Sequence, residues 1–173
     1  MNIDELKARI RDIPDFPQKG IIFKDITTLI KDRHAFRTVM DHLYGRYRHS
    51  HLDAIVGIES RGFIFGAALA DRLGLGFITA RKPGKLPAET ISQSYDLEYG
   101  QATLEIHKDA ISNGKKILIV DDLLATGGTL GAACQLVEQL GGKVAEVWVL
   151  IELSFLEGRK KLAGYPFFSL IQY

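Results

Sequence analysis

One stretch constrains this chain more than any other: Val120-Asp121-Asp122-Leu123-Leu124-Ala125-Thr126-Gly127-Gly128-Thr129. The apolar run Ile117-Leu118-Ile119-Val120 before it reads as a buried strand. After it, Leu130, Ala133, Cys134, Val137 and Leu140 recur at helical spacing, and Gly141-Gly142 marks a stop. The pattern therefore predicts a strand, two carboxylates, a turn of small residues and a helix. A small-residue turn at a helix N-terminus offers backbone N–H groups and hydroxyls to an anion, and the helix dipole favours negative charge there. Paired aspartates would repel a bare phosphate. They make sense if the ligand also brings sugar hydroxyls or a cation. That combination points to a ribose 5-phosphate.

The remaining composition narrows the field. A length of 173 residues favours one domain with a substantial core. A formal charge of +1 gives no general electrostatic reason to bind nucleic acid or an acidic membrane. No apolar run approaches the roughly 20 residues of a membrane helix, and the opening residues 1–11 are charged and helical rather than leader-like. The single cysteine, Cys134, excludes an internal disulfide framework and suits a reducing compartment. A cytoplasmic location is the expectation.

Taken in order, Asn2 and Glu5 form a capping-box pattern, and Leu6, Ile10 and Ile13 give a narrow stripe; a short helix ended by Pro14 is expected. A loop over residues 15–20 precedes residues 21–26, which on local pattern alone are a short edge strand. Residues 33–49 place Phe36, Val39, Met40, Leu43, Tyr44 and Tyr47 on one helical face. The histidines in and beside it lack the spacing of a zinc site and read as surface residues. Residues 52–58 are a buried strand, followed by a helix with Ile64, Phe65, Ala68, Leu69 and Leu73 inside and Gly74 near its end. Residues 75–80 form the next strand. The long segment from Lys82 to about Gln101 has no periodic core of its own, as expected of a lid. Within it, residues 90–97 and 102–106 pair as a hairpin around Glu98-Tyr99-Gly100. Asn113-Gly114 is a turn; residues 144–150 are a strand, 155–163 a short helix and 167–171 a final strand.

Strands alternating with helices over residues 52–150 predict a doubly wound, mostly parallel α/β sheet flanked by helices. Ligands collect at the carboxyl ends of such strands. Three polar clusters fall there: residues 59–62, 81–85 and 121–129. The last is neither GxxxxGK[ST] nor GxGxxG, so nucleoside-triphosphate and dinucleotide loops have little support.

Two acidic residues at an aliphatic strand end, followed by a Thr/Gly turn, resemble the phosphoribosyl-diphosphate motif of the type I phosphoribosyltransferases. The likeness extends along the chain, and is nearest to the members that use adenine. It covers Phe16-Pro17 with residues 20–26, Glu59-Ser60-Arg61-Gly62-Phe63, Arg81-Lys82-Pro83-Gly84-Lys85-Leu86-Pro87, Leu97-Glu98-Tyr99-Gly100, residues 120–129 and Pro166-Phe167-Phe168-Ser169-Leu170. Two details depart from some relatives: Lys24 stands where they have arginine, and Pro83 sits inside the basic loop.

The resemblance implies the type I phosphoribosyltransferase fold over residues 1–173, with an N-terminal hood of about residues 1–30 and a flexible lid hairpin of about residues 82–106. It implies transfer of the phosphoribosyl group of 5-phosphoribosyl 1-diphosphate to N9 of adenine, giving AMP and pyrophosphate, with Mg²⁺ bound mainly through substrate and no direct protein ligand to the metal. A homodimer is implied as well; nucleic acid and membrane are not expected partners.

Residue roles follow from the same likeness. Thr126, Thr129 and the amides of Ala125, Gly127 and Gly128 hold the 5-phosphate, while Asp121 and Asp122 accept from the ribose hydroxyls. These two carboxylates also balance the oxocarbenium-like charge that builds as pyrophosphate departs. Ser60 and Arg61, with Arg81, Lys82 and Lys85, meet the pyrophosphate, a task suited to the bidentate guanidinium; Arg81 acts in cis or across the dimer. A non-proline cis peptide joins Glu59 to Ser60. For the base, Phe23 stacks on the purine, worth roughly 1–3 kcal/mol. Backbone groups of Ile22 and Lys24 read its edge, and Ile151 or Leu153 forms an apolar wall. On its own pattern Phe23 is equally a core residue. Glu98 is the lid acid that handles the purine proton, as base or as electrostatic stabiliser, with Tyr99 packing beside it.

Two other functions remain open. A regulator that kept the phosphoribosyl site but lost catalysis would carry a DNA-binding segment or a damaged lid. A sister transferase would differ in residues 22–24, since the phosphate turn is common to the class.

Overall fold

A computed structural model describes residues 1–97 and 100–173. Glu98 and Tyr99, given lid roles above, lie outside the described residues. The chain divides into two compact units, Met1–Gly45 and Arg46–Tyr173.

In the first unit, α1 (Ile3–Lys7) carries the expected capping box: the Asn2 side chain accepts from the Glu5 N–H and the Glu5 carboxylate accepts from the Asn2 N–H, each at 2.8 Å. The helix does not run on to Pro14. Residues Arg11–Pro14 form β1, paired antiparallel with β2 (Ile22–Asp25), with Arg11 opposite Asp25 and Ile13 opposite Phe23. Ion pairs Arg11–Asp25 (2.5 Å) and Lys24–Asp12 (2.7 Å) join the two strands. Pairing with a segment ten residues onward wins over a weak helical stripe, which local periodicity could not register. A short α2 (Thr27–Lys31) follows, unmarked in the sequence pattern, with the Asp25 carboxylate accepting from the Thr27 N–H at 2.9 Å. Next comes α3 (Arg33–Tyr47), whose last two residues already count with the second unit. It is started by Asp32, whose carboxylate accepts from the His34 and Ala35 N–H groups. It buries Val39, Met40, Leu43 and Tyr47 as its periodicity required, but Tyr44 is exposed.

The second unit is a parallel sheet with crossover helices. Its chain order is β3 (Ala54–Ile58), α4 (Arg61–Leu73), β4 (Gly76–Ala80), β5 (Thr90–Asp96), β6 (Gln101–His107), β7 (Lys116–Leu124), α5 (Gly128–Gln139), β8 (Lys143–Glu152) and β9 (Phe167–Gln172). The sheet runs β4-β3-β7-β8-β9 and every neighbouring pair is parallel. From β3 the chain winds outward to β4, then returns to lay β7 on the other side of β3. The order therefore reverses between β3 and β7, and the crevice at their carboxyl ends is the switch point where such sheets bind ligands. The expected hairpin stands apart as its own antiparallel pair, β5 with β6, in a register that runs from Thr90↔His107 to Asp96↔Gln101.

Period-2 alternation divides the sheet's two faces. Val56, Ile58, Ile117, Ile119, Val147 and Val149 join α5 residues Ala133, Cys134 and Val137 and hairpin residues Leu104 and Ile106 in one core. On the other face Trp148 meets Phe65 of α4 with ring centroids 5.8 Å apart. Glycines let α4 come close: a Cβ on Gly66 would lie 2.7 Å from the Phe77 ring, and one on Gly62 would lie 2.7 Å from the Val120 carbonyl oxygen.

Three expectations need correction in this unit. Asp121 and Asp122 do not follow the strand but belong to β7, which runs on to Leu124 because Leu123 and Leu124 pair with Ile151 and Glu152. Ile64 of α4 is exposed rather than inside. Residues 155–163 are not one helix but two 3-10 turns, Ser154–Leu156 and Gly158–Leu162, broken at Glu157 by a φ of 53°.

Candidate active site

The switch-point crevice is built from three strand ends. Strand β3 leads through Glu59 and Ser60, joined by the expected cis peptide, directly into α4 at Arg61. The close approach at Gly62 presses the first turn of α4 against the end of β7, and this brings Arg61 to Asp122, with which it forms an ion pair. Asp121 and Asp122 are both buried, and the Asp121 carboxylate accepts from the Asp122 N–H at 2.8 Å. Burial, followed by the neighbouring Asp122 charge, raises the Asp121 carboxyl well above the usual carboxylate range.

After Leu124 the chain turns through residues 125–127 into α5. Gly127 takes a φ of 84°, and a Cβ there would lie 2.4 Å from the Gly158 carbonyl oxygen, so only glycine suits the position. The first N–H groups of α5 have no partner within the helix, and the residues that carry them, Gly128, Thr129 and Leu130, line the crevice. Thr129, in that first turn, donates to the Tyr95 hydroxyl at 3.0 Å.

Together these parts enclose a cleft of about 590 Å³. Ser60, Arg61, Lys82, Lys85, Asp121, Asp122 and the turn residues Ala125, Thr126, Gly127, Gly128 and Thr129 all line it. Arg81 does not. Its guanidinium is turned to Glu59 (Nε to Oε2, 2.8 Å), whose other oxygen accepts from the Lys82 backbone N–H at 2.8 Å. Burial works to raise the Glu59 carboxyl, but the Lys82 N–H and the Arg81 guanidinium hold it below the ordinary range. Glu59 thus anchors the start of the basic loop and carries Lys82 to the cleft wall.

The structure adds residues that sequence reasoning passed over. Tyr95 lines the cleft, and a Cβ on Gly128 would touch its ring at 2.8 Å. The signal was present: Tyr95 sits on the inward parity of β5, half-buried between exposed neighbours Ser94 and Asp96. Glu59 belongs to the polar cluster at residues 59–62, and its partner Arg81 comes within reach only because β4 lies beside β3.

The proposed base residues fall in both units. In the first, Phe23 is half-buried and meets the Phe16 ring edge-on at 5.2 Å, Ile22 is exposed, and the Lys24 ammonium pairs with Asp12. In the second, Ile151 is fully buried in β8 and Leu153 is half-buried just beyond its end.

Among the described residues no group of three or more His, Cys, Asp or Glu side chains is arranged to hold a metal. The cleft does suit a magnesium ion carried by phosphate oxygens, because two carboxylates face a site already lined with cationic and anion-binding groups. Also among the described residues, no helix is long and apolar enough to cross a membrane.

Comparison with known proteins agrees with this geometry. Residues 26–168 match the phosphoribosyl transferase domain family. An adenine phosphoribosyltransferase of Roseiflexus sp. (strain RS-1) is 62% identical over 164 residues, covering 95% of each chain. The crystal structure of the adenine phosphoribosyltransferase of Thermoanaerobacter pseudethanolicus superposes with a TM-score of 0.96 at 56% identity, covering 99% of this chain and 100% of that one. The Saccharomyces cerevisiae enzyme, solved with an imino-altritol bisphosphate and adenine, gives 0.91 at 43% identity over 97% of each chain.

Proposed function

The chain belongs to the phosphoribosyl transferase family, among the adenine phosphoribosyltransferases, and from that premise we propose how its own residues carry the reaction. It is a purine-salvage transferase: adenine and 5-phosphoribosyl 1-diphosphate give AMP and pyrophosphate. The observation that supports a residue-level reading is the single cleft in which the acidic pair, the Thr/Gly turn and the end of α4 meet.

In this reading the turn from Ala125 to Thr129 takes the 5-phosphate, its amides and hydroxyls replacing water around the anion. Asp121 and Asp122 accept from the ribose hydroxyls and stabilise positive charge as the bond from C1 to pyrophosphate lengthens. Arg61, with Ser60, Lys82 and Lys85, takes the departing pyrophosphate. In the structure Arg61 forms an ion pair with Asp122. Pyrophosphate would draw Arg61 away and release Asp122 to the sugar, so the Arg61–Asp122 pair is exchanged for an ion pair to pyrophosphate and hydrogen bonds to the ribose hydroxyls. Mg²⁺, bound mainly through substrate oxygens and water, would supply charge neutralisation of the leaving group.

Phe23 with the backbone of Ile22 and Lys24, and Ile151 and Leu153, are assigned to adenine on the strength of the resemblance. Glu98 is assigned the purine proton and Tyr99 the closed lid, which excludes water from the cationic centre. Arg81, fastened to Glu59, serves the pyrophosphate through its loop or across a homodimer. The single-domain organisation with its hood and lid, the homodimer and a cytoplasmic location belong to the same proposal.

The test is direct. The protein is incubated with phosphoribosyl diphosphate, Mg²⁺ and each purine or pyrimidine base. AMP from adenine alone is the expected outcome; nucleotide from another base would transfer the reading to a sister enzyme. No product with any base would leave a binding domain without catalysis.

A further inference from the structure

The turn that would hold the 5-phosphate is backed by a segment with little structure of its own. Residues 154–162 consist of two 3-10 turns joined at Glu157, and 3-10 turns this short do not hold their own geometry. Yet the contact they make with the turn is very close. A Cβ on Gly158 would lie 2.3 Å from the Ala125 carbonyl oxygen, and one on Gly127 would lie 2.4 Å from the Gly158 carbonyl oxygen. A displacement of this segment by a fraction of an ångström would therefore move residues 125–127.

The ends of the segment are held by the Ser154 N–H on the Tyr173 carbonyl at 2.9 Å and by Leu162, buried in the core. Between them, next to Gly158, it is held by an ion pair anchored in the sheet. Glu152, the last residue of β8, is 4% exposed. Arg159, the residue after Gly158, meets it with two parallel bonds, Nε to Oε1 at 2.5 Å and Nη2 to Oε2 at 2.6 Å. Ser169 of β9 donates to Glu152 Oε2 at 2.6 Å, and the guanidinium lies 4.7 Å above the Phe167 ring. A two-point fork sets angle as well as distance, which neither an apolar contact nor a lysine would do. Burying a carboxylate for stability alone is a poor exchange, since well-packed apolar residues usually do as well. The strand carrying Glu152 is itself tied to the turn's strand, with the Leu153 N–H donating to the Leu124 carbonyl at 3.0 Å.

We propose that Glu152 and Arg159, with Ser169, form a positioning clamp that holds Gly158 against Ala125 and Gly127 and so keeps the phosphate turn in its binding shape. Neither charged residue lines the cleft, so they act through the turn and not on the substrate. The proposal rests on the reading of residues 125–129 as the 5-phosphate site.

The experiment compares Arg159→Ala, Arg159→Lys and Thr126→Ala with the unaltered protein, measuring KM for phosphoribosyl diphosphate, KM for adenine, and equilibrium binding of ribose 5-phosphate and of pyrophosphate. For Arg159→Ala the KM for phosphoribosyl diphosphate should rise about tenfold, the scale of a lost charge-assisted bond. Ribose 5-phosphate binding should weaken in step, while the adenine KM and pyrophosphate binding stay within about twofold, inside ordinary context scatter. Arg159→Lys should recover only part of the loss. Thr126→Ala reports on the site itself. If it weakens ribose 5-phosphate binding and Arg159→Ala does not, the clamp is wrong and the phosphate site stands. If Thr126→Ala has no effect, the assignment of the turn falls and the clamp with it. Equal weakening of both ligands by Arg159→Ala would mean a general structural role and would overturn the proposal.

Discussion

Thr129 donates its hydroxyl to the Tyr95 phenol oxygen at 3.0 Å, tying the first turn of α5 to the β5 arm of the hairpin. A residue assigned to the 5-phosphate thus touches β5 one residue short of its carboxyl end, at the last pairs of the hairpin. Removing the acceptor in Tyr95→Phe should raise the KM for phosphoribosyl diphosphate by about 2–10-fold, the net worth of one hydrogen bond. The folded protein should keep its melting temperature within a few degrees. Steady-state kinetics at saturating adenine read the effect, and an unchanged KM would make the contact idle.

Glu98→Gln keeps the size of the side chain and removes its charge and basicity. Turnover should fall by about 10²-fold or more, the scale of a lost general base. Circular dichroism and substrate binding should be unaltered. A well-folded variant with unchanged turnover would end the assignment of Glu98.

Asp121 leads to a prediction of opposite sign to most buried carboxylates. Its folded-state affinity for a proton is raised, chiefly by burial. Between the unfolded value of about 3.9 and the raised folded value, the native chain holds more protons than the unfolded one, so stability falls as pH rises through that window. Asp121→Asn should therefore melt at a higher temperature than the parent near neutral pH, the gap closing toward about pH 4. The same variant should bind phosphoribosyl diphosphate less well. Melting curves across that pH range, without ligand, decide the matter.

Gly127→Ala should harm both stability and phosphate binding. Its φ of 84° alone costs a Cβ-bearing residue about 1–2 kcal/mol. The contact with the Gly158 carbonyl oxygen adds a clash. Gly164→Ala is the matched control, since its φ is 96° but a Cβ there meets nothing within 4 Å. Thermal melts should show Gly127→Ala clearly below Gly164→Ala, and only the former should raise the KM for phosphoribosyl diphosphate.

Much of the second unit was legible in the sequence. The strand at residues 117–120, the helix beginning after Gly127 and the antiparallel pairing of residues 90–96 with 101–107 follow from periodicity and turn composition. What misled were short elements whose state depends on a distant partner. The stripe Leu6, Ile10 and Ile13 is compatible with a longer helix, and only pairing with residues 22–25 makes a strand of residues 11–14. Residues 154–162 carry helix-like spacing, but a positive φ at Glu157 and the crowding at Gly158 divide them into two turns. Ile64 lies on the helical stripe of α4 yet is exposed, because periodicity assigns a face without knowing how wide the covering layer is.

Residues 120–129 by themselves pointed to a ribose phosphate as the ligand, since a Thr/Gly turn beside two carboxylates has few chemical uses. They also placed that site at the end of a strand. The tertiary structure decided the partners: Arg61 with Asp122, sixty-one positions away; Arg81 with Glu59; Thr129 with Tyr95; and Arg159 with Glu152 behind the turn. The physical reason is range. A turn's conformation and a strand's parity are set by neighbours within a few residues, whereas which side chains share an ion pair depends on strand order. Here that order reverses between β3 and β7, which brings residues 59–62 and 121–129 to one crevice.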